Sequence, residues 1–109
     1  MILCVTPNPA LDHTLTVQHM KPGEVMRASN TRLTAGGKGV NVARAIRTLG
    51  GEALCLGFLG GQTGELLATL AQQEGLNTRW TWINAETRTC IIVLSGDSGE
   101  ATVINWPPG

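Results

Sequence analysis

Two kinds of hydrophobic pattern divide this chain of 109 residues. Continuous apolar runs at 2–5 and 53–59 predict short strands buried on both faces, as in a parallel sheet. Apolar residues at helical spacing predict helices near 41–49 and 64–74, and glycines follow these segments at Gly50 and Gly75. Strands that alternate with helices in this order predict a parallel α/β unit.

The other segments favour a second, smaller sheet. Alternating or β-rich patterns predict its strands at 13–17, 25–33, 79–83, 90–94 and 101–106. The last two flank a turn at 95–100 that contains two glycines and Asp97, so they predict a hairpin. The predicted fold class is therefore α/β, with a parallel unit and a small separate β-sheet.

Composition narrows the classes of function. Eight basic and eight acidic residues cancel, so no net field favours nucleic acid or a membrane surface. No apolar run approaches the ~20 residues of a membrane span, and no basic leader precedes the first strand. Cys4, Cys55 and Cys90 lie in apolar runs without metal-ligand spacing, which predicts buried free thiols, no metal site and a cytoplasmic location.

Two segments carry candidate chemistry. Gly36-Gly37-Lys38-Gly39 precedes a predicted helix, whose N-terminal N–H groups favour anions and polar ligands, and Asn41 adds an amide there. The spacing excludes the GxxxxGK[ST] and GxGxxG phosphate motifs, and a tight loop before a structural helix is the alternative interpretation. Asp12 follows the first strand and a proline-containing loop, either as a ligand-binding acid or as a turn cap.

Taken together, these segments resemble the PfkB/ribokinase family of sugar kinases, in the branch that holds 1-phosphofructokinase and tagatose-6-phosphate kinase. The matching positions are Thr6-Pro7-Asn8-Pro9-Ala10-Leu11-Asp12, Ala35-Gly36-Gly37, Asn41, Ala43, Gly50, Gly60 and Glu86-Thr87-Arg88-Thr89-Cys90. The resemblance implies the N-terminal segment of a ribokinase-like fold. In that fold 1–12 and 34–76 would belong to the α/β core, and 13–33 and 77–106 to a β lid that often forms a dimer.

The resemblance also implies roles for individual residues. Asp12 and Asn41 would bind sugar hydroxyls, while Gly36 and Gly37 would present backbone N–H groups and act as the hinge of the lid. The candidates for the phosphate already on the substrate are Lys38, Arg27 and Arg88. Relatives that act on sugar 6-phosphates often have a lysine where this chain has Val25, which counts against fructose 6-phosphate.

The family's catalytic aspartate lies in a Gly-Ala-Gly-Asp motif that this sequence does not contain, so no catalytic residue is expected here. ATP and Mg²⁺ are implied as cofactors, with their site outside the segment. The expected function is sugar-phosphate binding within an ATP-dependent kinase that acts on fructose 1-phosphate or tagatose 6-phosphate, as a homodimer formed through the lid. The chain alone would be inactive. The alternatives are a non-catalytic module for sugar-phosphate binding or dimerisation, and a pseudogene remnant.

Overall fold

The computed structural model describes residues 1–105 as two sheets and two helices. In chain order the elements are β1 (Ile2–Thr6), β2 (Ala10–Val17), β3 (Asn30–Gly36), α1 (Lys38–Thr48), β4 (Ala53–Leu59), α2 (Gly61–Glu74), β5 (Thr78–Trp82), β6 (Arg88–Ser95) and β7 (Ala101–Asn105). The predicted class, a parallel α/β unit with a second sheet, is confirmed, although the second sheet has four strands and the parallel one only three. Trp106, the predicted end of the last strand, lies outside the described residues.

The three-stranded sheet has the order β1-β4-β5, and both of its strand pairs are parallel. Parallel neighbours need a crossover connection, which α2 supplies between β4 and β5. The prediction that 79–83 belongs to the second sheet is therefore wrong. Trp80 packs against the core beneath the helices while Trp82 is half exposed, so the alternating pattern reflects an edge strand of the parallel sheet.

The four-stranded sheet has the order β3-β2-β6-β7, and β6 and β7 form the predicted antiparallel hairpin. The predicted strand at 25–33 is displaced, because β3 runs from Asn30 to Gly36 and pairs with β2 along its length. Val25, whose apolar side chain favoured the earlier start, is almost fully exposed. Since β2 begins at Ala10 and β3 ends at Gly36, residues 10–12 and 34–36 belong to this sheet rather than to the parallel unit.

Both helices begin three residues before their predicted starts; α2 ends at its predicted residue and α1 one residue before it. Gly50 and Gly75 have φ of 85° and 87°, left-handed values that favour glycine after a helix. Thr63, which precedes the predicted start of α2, lies inside the helix. The N-cap is Gly60, and the carboxylate of Glu86 accepts the N–H of Thr63 at 2.8 Å. In α1 the buried face is formed by Val40 and Ala43, whereas Val42 and Leu49 are exposed.

The core lies between the parallel sheet and the helices. It is formed by small and aliphatic side chains, including Cys4, Cys55, Val40, Leu59 and Leu67. The three cysteines are buried and free, as predicted. Neither helix in residues 1–105 has the length and apolar character needed to cross a membrane.

Candidate functional site

Asp12 lies inside β2, opposite Thr34 of β3 and Cys90 of β6, and not in a loop as its sequence position suggested. Its carboxylate rests against the Cα of Gly36, where a Cβ would overlap both carboxylate oxygens. Only glycine at position 36 therefore allows the Asp12 carboxylate to lie this close to the β3 backbone. Burial raises the pKa of Asp12, and the charges of Arg88 and Arg44 oppose that rise without cancelling it.

The chain then turns at Gly37, whose φ of 116° suits glycine, and enters α1 at Lys38. Within residues 1–105 no side chain caps this helix, and its first turn holds no acidic residue. The first N–H groups and the positive end of the helix dipole are thus available to a ligand. Lys38 is exposed at this end and forms no ion pair with any other described residue.

Arg44 holds the next turn of α1 in place. Its Nη1 donates to Asn41 Oδ1 at 2.9 Å and its Nη2 to the carbonyl of Ala35 at 2.7 Å. Its guanidinium also forms a two-point ion pair with Glu74 at the end of α2, through Nε to Oε2 and Nη2 to Oε1. Because the amide oxygen of Asn41 accepts from Arg44, its amide nitrogen is left to donate to a ligand.

The Arg44–Glu74 pair shifts the pKa values of both partners. Its hydrogen bond is the largest cause of a lowered pKa for Glu74 and of a raised pKa for Arg44. Sequence reasoning missed this pair. Arg44 stands three residues after Asn41 on a helix, a spacing that brings side chains together and could have indicated the contact. Glu74 lies 30 residues further along the chain, and no local signal links it to Arg44.

Arg88 opens β6 opposite Ala10, two residue pairs along the ladder from Asp12 and on the same face of the sheet. The segment before it is tied to the start of α2, because Thr87 Oγ1 accepts the N–H of Gly60 at 3.0 Å and the carboxylate of Glu86 binds Thr63. The Nη1 of Arg88 donates to Cys90 Sγ at 3.4 Å. Its Nε is buried and has no partner among the described residues, so a donor is available at the site.

Arg27 does not join this group. It lies exposed in the connection between β2 and β3, where it lines a separate cavity of about 420 Å³ together with His19 and Asp97. That cavity is at the Val17 end of β2, five residues along the strand from Asp12. The structure thus brings together Asp12, Gly36, Gly37, Lys38, Asn41 and Arg88, and it places Arg27 at the far end of the sheet.

No three His, Cys, Asp or Glu side chains within residues 1–105 gather closely enough to hold a metal ion. The described residues therefore do not form an all-protein Mg²⁺ site. What they offer is one carboxylate, one oriented amide, an uncapped helix N-terminus and two cationic side chains. This set suits a ligand with several hydroxyl groups and an anionic group.

Comparisons with known proteins place this geometry in context. Residues 5–109 match the family described as pfkB family carbohydrate kinase. The chain is 39% identical over 98 residues to 1-phosphofructokinase of Haloferax volcanii, covering 89% of this chain and 32% of that protein. It is 35% identical over 105 residues to 1-phosphofructokinase of Xanthomonas campestris pv. campestris, covering 96% and 33%.

Among solved structures, phosphofructokinase-2 of Escherichia coli in complex with fructose-6-phosphate superposes with a TM-score of 0.91 at 33% identity, covering 98% of this chain and 35% of that one. The chain thus spans about a third of the length of these relatives.

Proposed function

Since the chain belongs to the pfkB family of carbohydrate kinases, we propose that it is the part of a hexose-phosphate kinase that binds the acceptor sugar. The observation that carries the proposal is the convergence of Asp12, Asn41 and Arg88 at the uncapped start of α1. The curated relatives named 1-phosphofructokinase support fructose 1-phosphate as the acceptor, with tagatose 6-phosphate as the second candidate.

In this proposal the roles divide by chemistry. Asp12 accepts hydrogen bonds from sugar hydroxyls, and the amide nitrogen of Asn41 donates to another hydroxyl. Gly36 and Gly37 present backbone N–H groups, and the chain closes over the sugar about this hinge, which excludes water. Lys38 and Arg88, which lie near Asp12, are candidates for binding the phosphate of the acceptor sugar. Arg27, at the far end of the sheet, is the third candidate.

The four-stranded sheet would be the lid over the sugar. Its hairpin strand β7 exposes Val103 and Ile104, which supports its use as the surface of a homodimer. ATP and Mg²⁺ would supply the phosphoryl group and neutralise its charge. We place their site outside residues 1–105, which offer no metal-binding cluster, and we assign no step of the transfer to these residues. We infer accordingly that the 109-residue chain alone does not phosphorylate sugars, and that the kinase works in the cytoplasm.

The test is phosphoryl transfer from ATP by the complete protein that carries this chain, with fructose 1-phosphate, tagatose 6-phosphate and fructose 6-phosphate as acceptors. Asp12→Ala and Asn41→Ala should each lower kcat/KM by roughly five- to 150-fold, because each leaves a hydroxyl unpaired in a closed site. Asn77→Ala is the matched control, since Asn77 is an exposed residue before β5. Unchanged activity in both site variants would overturn the proposed site.

The same assay separates a kinase from a non-catalytic binding module. A protein that binds the sugar phosphates but transfers no phosphoryl group to any of them would support the module and contradict the kinase. Arg88→Ala and Lys38→Ala refine the result, because a residue that binds phosphate should matter for the phosphorylated sugar and not for the free sugar.

A further inference from the structure

The side chain of Asn41 is held by one hydrogen bond. Asn41 is exposed near the start of α1, and its Oδ1 accepts from Arg44 Nη1 at 2.9 Å. No other hydrogen bond involves this amide in the part of the chain that the structure describes. The two ends of an amide have similar shapes but opposite hydrogen-bonding character, because the oxygen accepts and the nitrogen donates. The bond from Arg44 therefore decides which end of Asn41 can face a ligand.

The guanidinium of Arg44 is itself committed to contacts within the protein. Its Nε and Nη2 donate to the two carboxylate oxygens of Glu74, and Nη2 also donates to the carbonyl of Ala35 at 2.7 Å. Together with the bond to Asn41, these contacts use four of the five N–H donors of the guanidinium. Arg44 thus has little left to offer a ligand, and its influence on one passes through Asn41.

Glu74 fixes the orientation of that guanidinium. A carboxylate that binds one edge of a guanidinium at two points sets its plane as well as its position. The side chains of Arg44 and Glu74 are 33% and 28% exposed, so the pair is partly shielded from water and holds more firmly than a fully exposed pair. The carbonyl of Ala35 holds the same group from β3. With these anchors in place, Nη1 can point only toward Asn41.

Accepting the proposed function, on which this step rests, we propose that Arg44 and Glu74 are positioning residues of the sugar site. Glu74 fixes Arg44, Arg44 turns the amide nitrogen of Asn41 toward the sugar, and neither charged group touches the sugar. Asp12 then accepts from sugar hydroxyls while Asn41 donates, so the site presents an acceptor and a donor in a fixed arrangement. A carboxylate at the end of α2 thereby controls sugar affinity.

The experiment is a double-mutant cycle between Asn41→Ala and Glu74→Gln in the complete protein. Calorimetric titration without ATP measures the affinity for the acceptor that the wild type binds, fructose 1-phosphate or tagatose 6-phosphate. Glu74→Gln alone should weaken binding by roughly three- to thirtyfold, because Arg44 loses its two-point anchor. In the Asn41→Ala background the same substitution should change affinity by less than about twofold, since no amide remains to be oriented.

The matched control is Glu65→Gln, at an exposed carboxylate on the same helix, which should keep the wild-type affinity. A second variant, Asn41→Asp, tests the direction of the amide. Its carboxylate keeps an oxygen for Arg44 but presents another oxygen where the wild type presents N–H groups. Asn41→Asp should therefore bind the sugar phosphate no better than Asn41→Ala does.

Four results would overturn the assignment while leaving the proposed function standing. They are wild-type affinity in Glu74→Gln, equal losses in Glu74→Gln and Glu65→Gln, an undiminished effect of Glu74→Gln in the Asn41→Ala background, and wild-type affinity in Asn41→Asp. The third result would mean that Glu74 acts on the fold and not through the amide. A wild-type protein that binds neither sugar phosphate would overturn the proposed function, and the positioning role with it.

Discussion

The two sheets of this chain differ in the side chains that they leave exposed on their uncovered faces. The parallel sheet carries both helices against one face, while its other face exposes apolar side chains, among them Leu3, Val5 and Phe58. The four-stranded sheet instead presents charged and hydroxyl side chains on the face that carries Asp12 and Arg32. A parallel sheet is stable when both faces are covered, so the first sheet needs further protein. The second sheet can leave its polar face to water or to a polar ligand.

The largest effect is expected from the uncovered apolar face of the parallel sheet, through its influence on self-association. The isolated 109-residue chain should self-associate at micromolar concentration, because contiguous exposed apolar surface favours burial against another copy. A Leu3→Glu, Phe58→Glu double variant should sediment as a smaller species. Val103→Glu, Ile104→Glu tests the proposed dimer surface of β7 on the other sheet and should reduce association less than the first pair does. If it dissociates the chain and the first pair does not, the hairpin strand β7 is the main association surface, and the comparison between the sheets is reversed.

Removing Arg44 should be the most damaging single change to the site. Arg44→Leu leaves Glu74, the carbonyl of Ala35 and the amide oxygen of Asn41 without their donor. We expect a loss of about 2–4 kcal/mol in the free energy of unfolding, measured by urea denaturation. Arg27→Leu, at an exposed arginine in the connection between β2 and β3, should change it by less than about 0.5 kcal/mol. Similar losses in both variants would show that the ion pair between Arg44 and Glu74 contributes no more to the free energy of unfolding than an exposed arginine does.

The contact between Gly36 and Asp12 should have a smaller and conditional effect. Gly36→Ala places a Cβ against the carboxylate and should cost about 1–3 kcal/mol of stability. In an Asp12→Ala background the overlap disappears, so the same substitution should be nearly neutral. A double-mutant cycle measures this coupling. An equal cost in both backgrounds would trace the effect to backbone flexibility of the glycine segment.

Local patterns were enough to predict much of this molecule. The glycine segment before a helix, and Asp12 after the first strand, were identified because each lies in a short stretch of distinctive chemistry. The pairing of Arg44 with Glu74 and the capping of α2 by Glu86 join residues more than twenty positions apart. Only the packing of α1, α2 and β6 determines such contacts. The sheet to which β5 belongs was misassigned for the same reason, since alternation shows a half-exposed strand but not its neighbour.

The smallest effect concerns the charge of Asp12. Burial raises its pKa above the ordinary value of 3.8, so folding favours the protonated carboxyl. A carboxyl with a raised pKa reduces stability as pH rises through its folded pKa, and the full cost is present at about pH 7. Asp12→Asn, which keeps the shape but not the charge, should therefore raise the unfolding temperature at about pH 7 while it weakens sugar binding.

At about pH 3 the difference in unfolding temperature between the wild type and Asp12→Asn should vanish, because Asp12 is then protonated in both the folded and the unfolded protein. Glu74 shifts in the opposite sense. Its lowered pKa adds stability that is lost as pH falls through the folded value, and this loss should be equal in the wild type and the variant. The measurement is thermal unfolding of both proteins at the two pH values. If Asp12→Asn is less stable at neutral pH, the attraction of Arg88 and Arg44 for the Asp12 carboxylate outweighs the cost of burying it. The negative charge of Asp12, which we propose binds the sugar, would then also stabilise the folded protein.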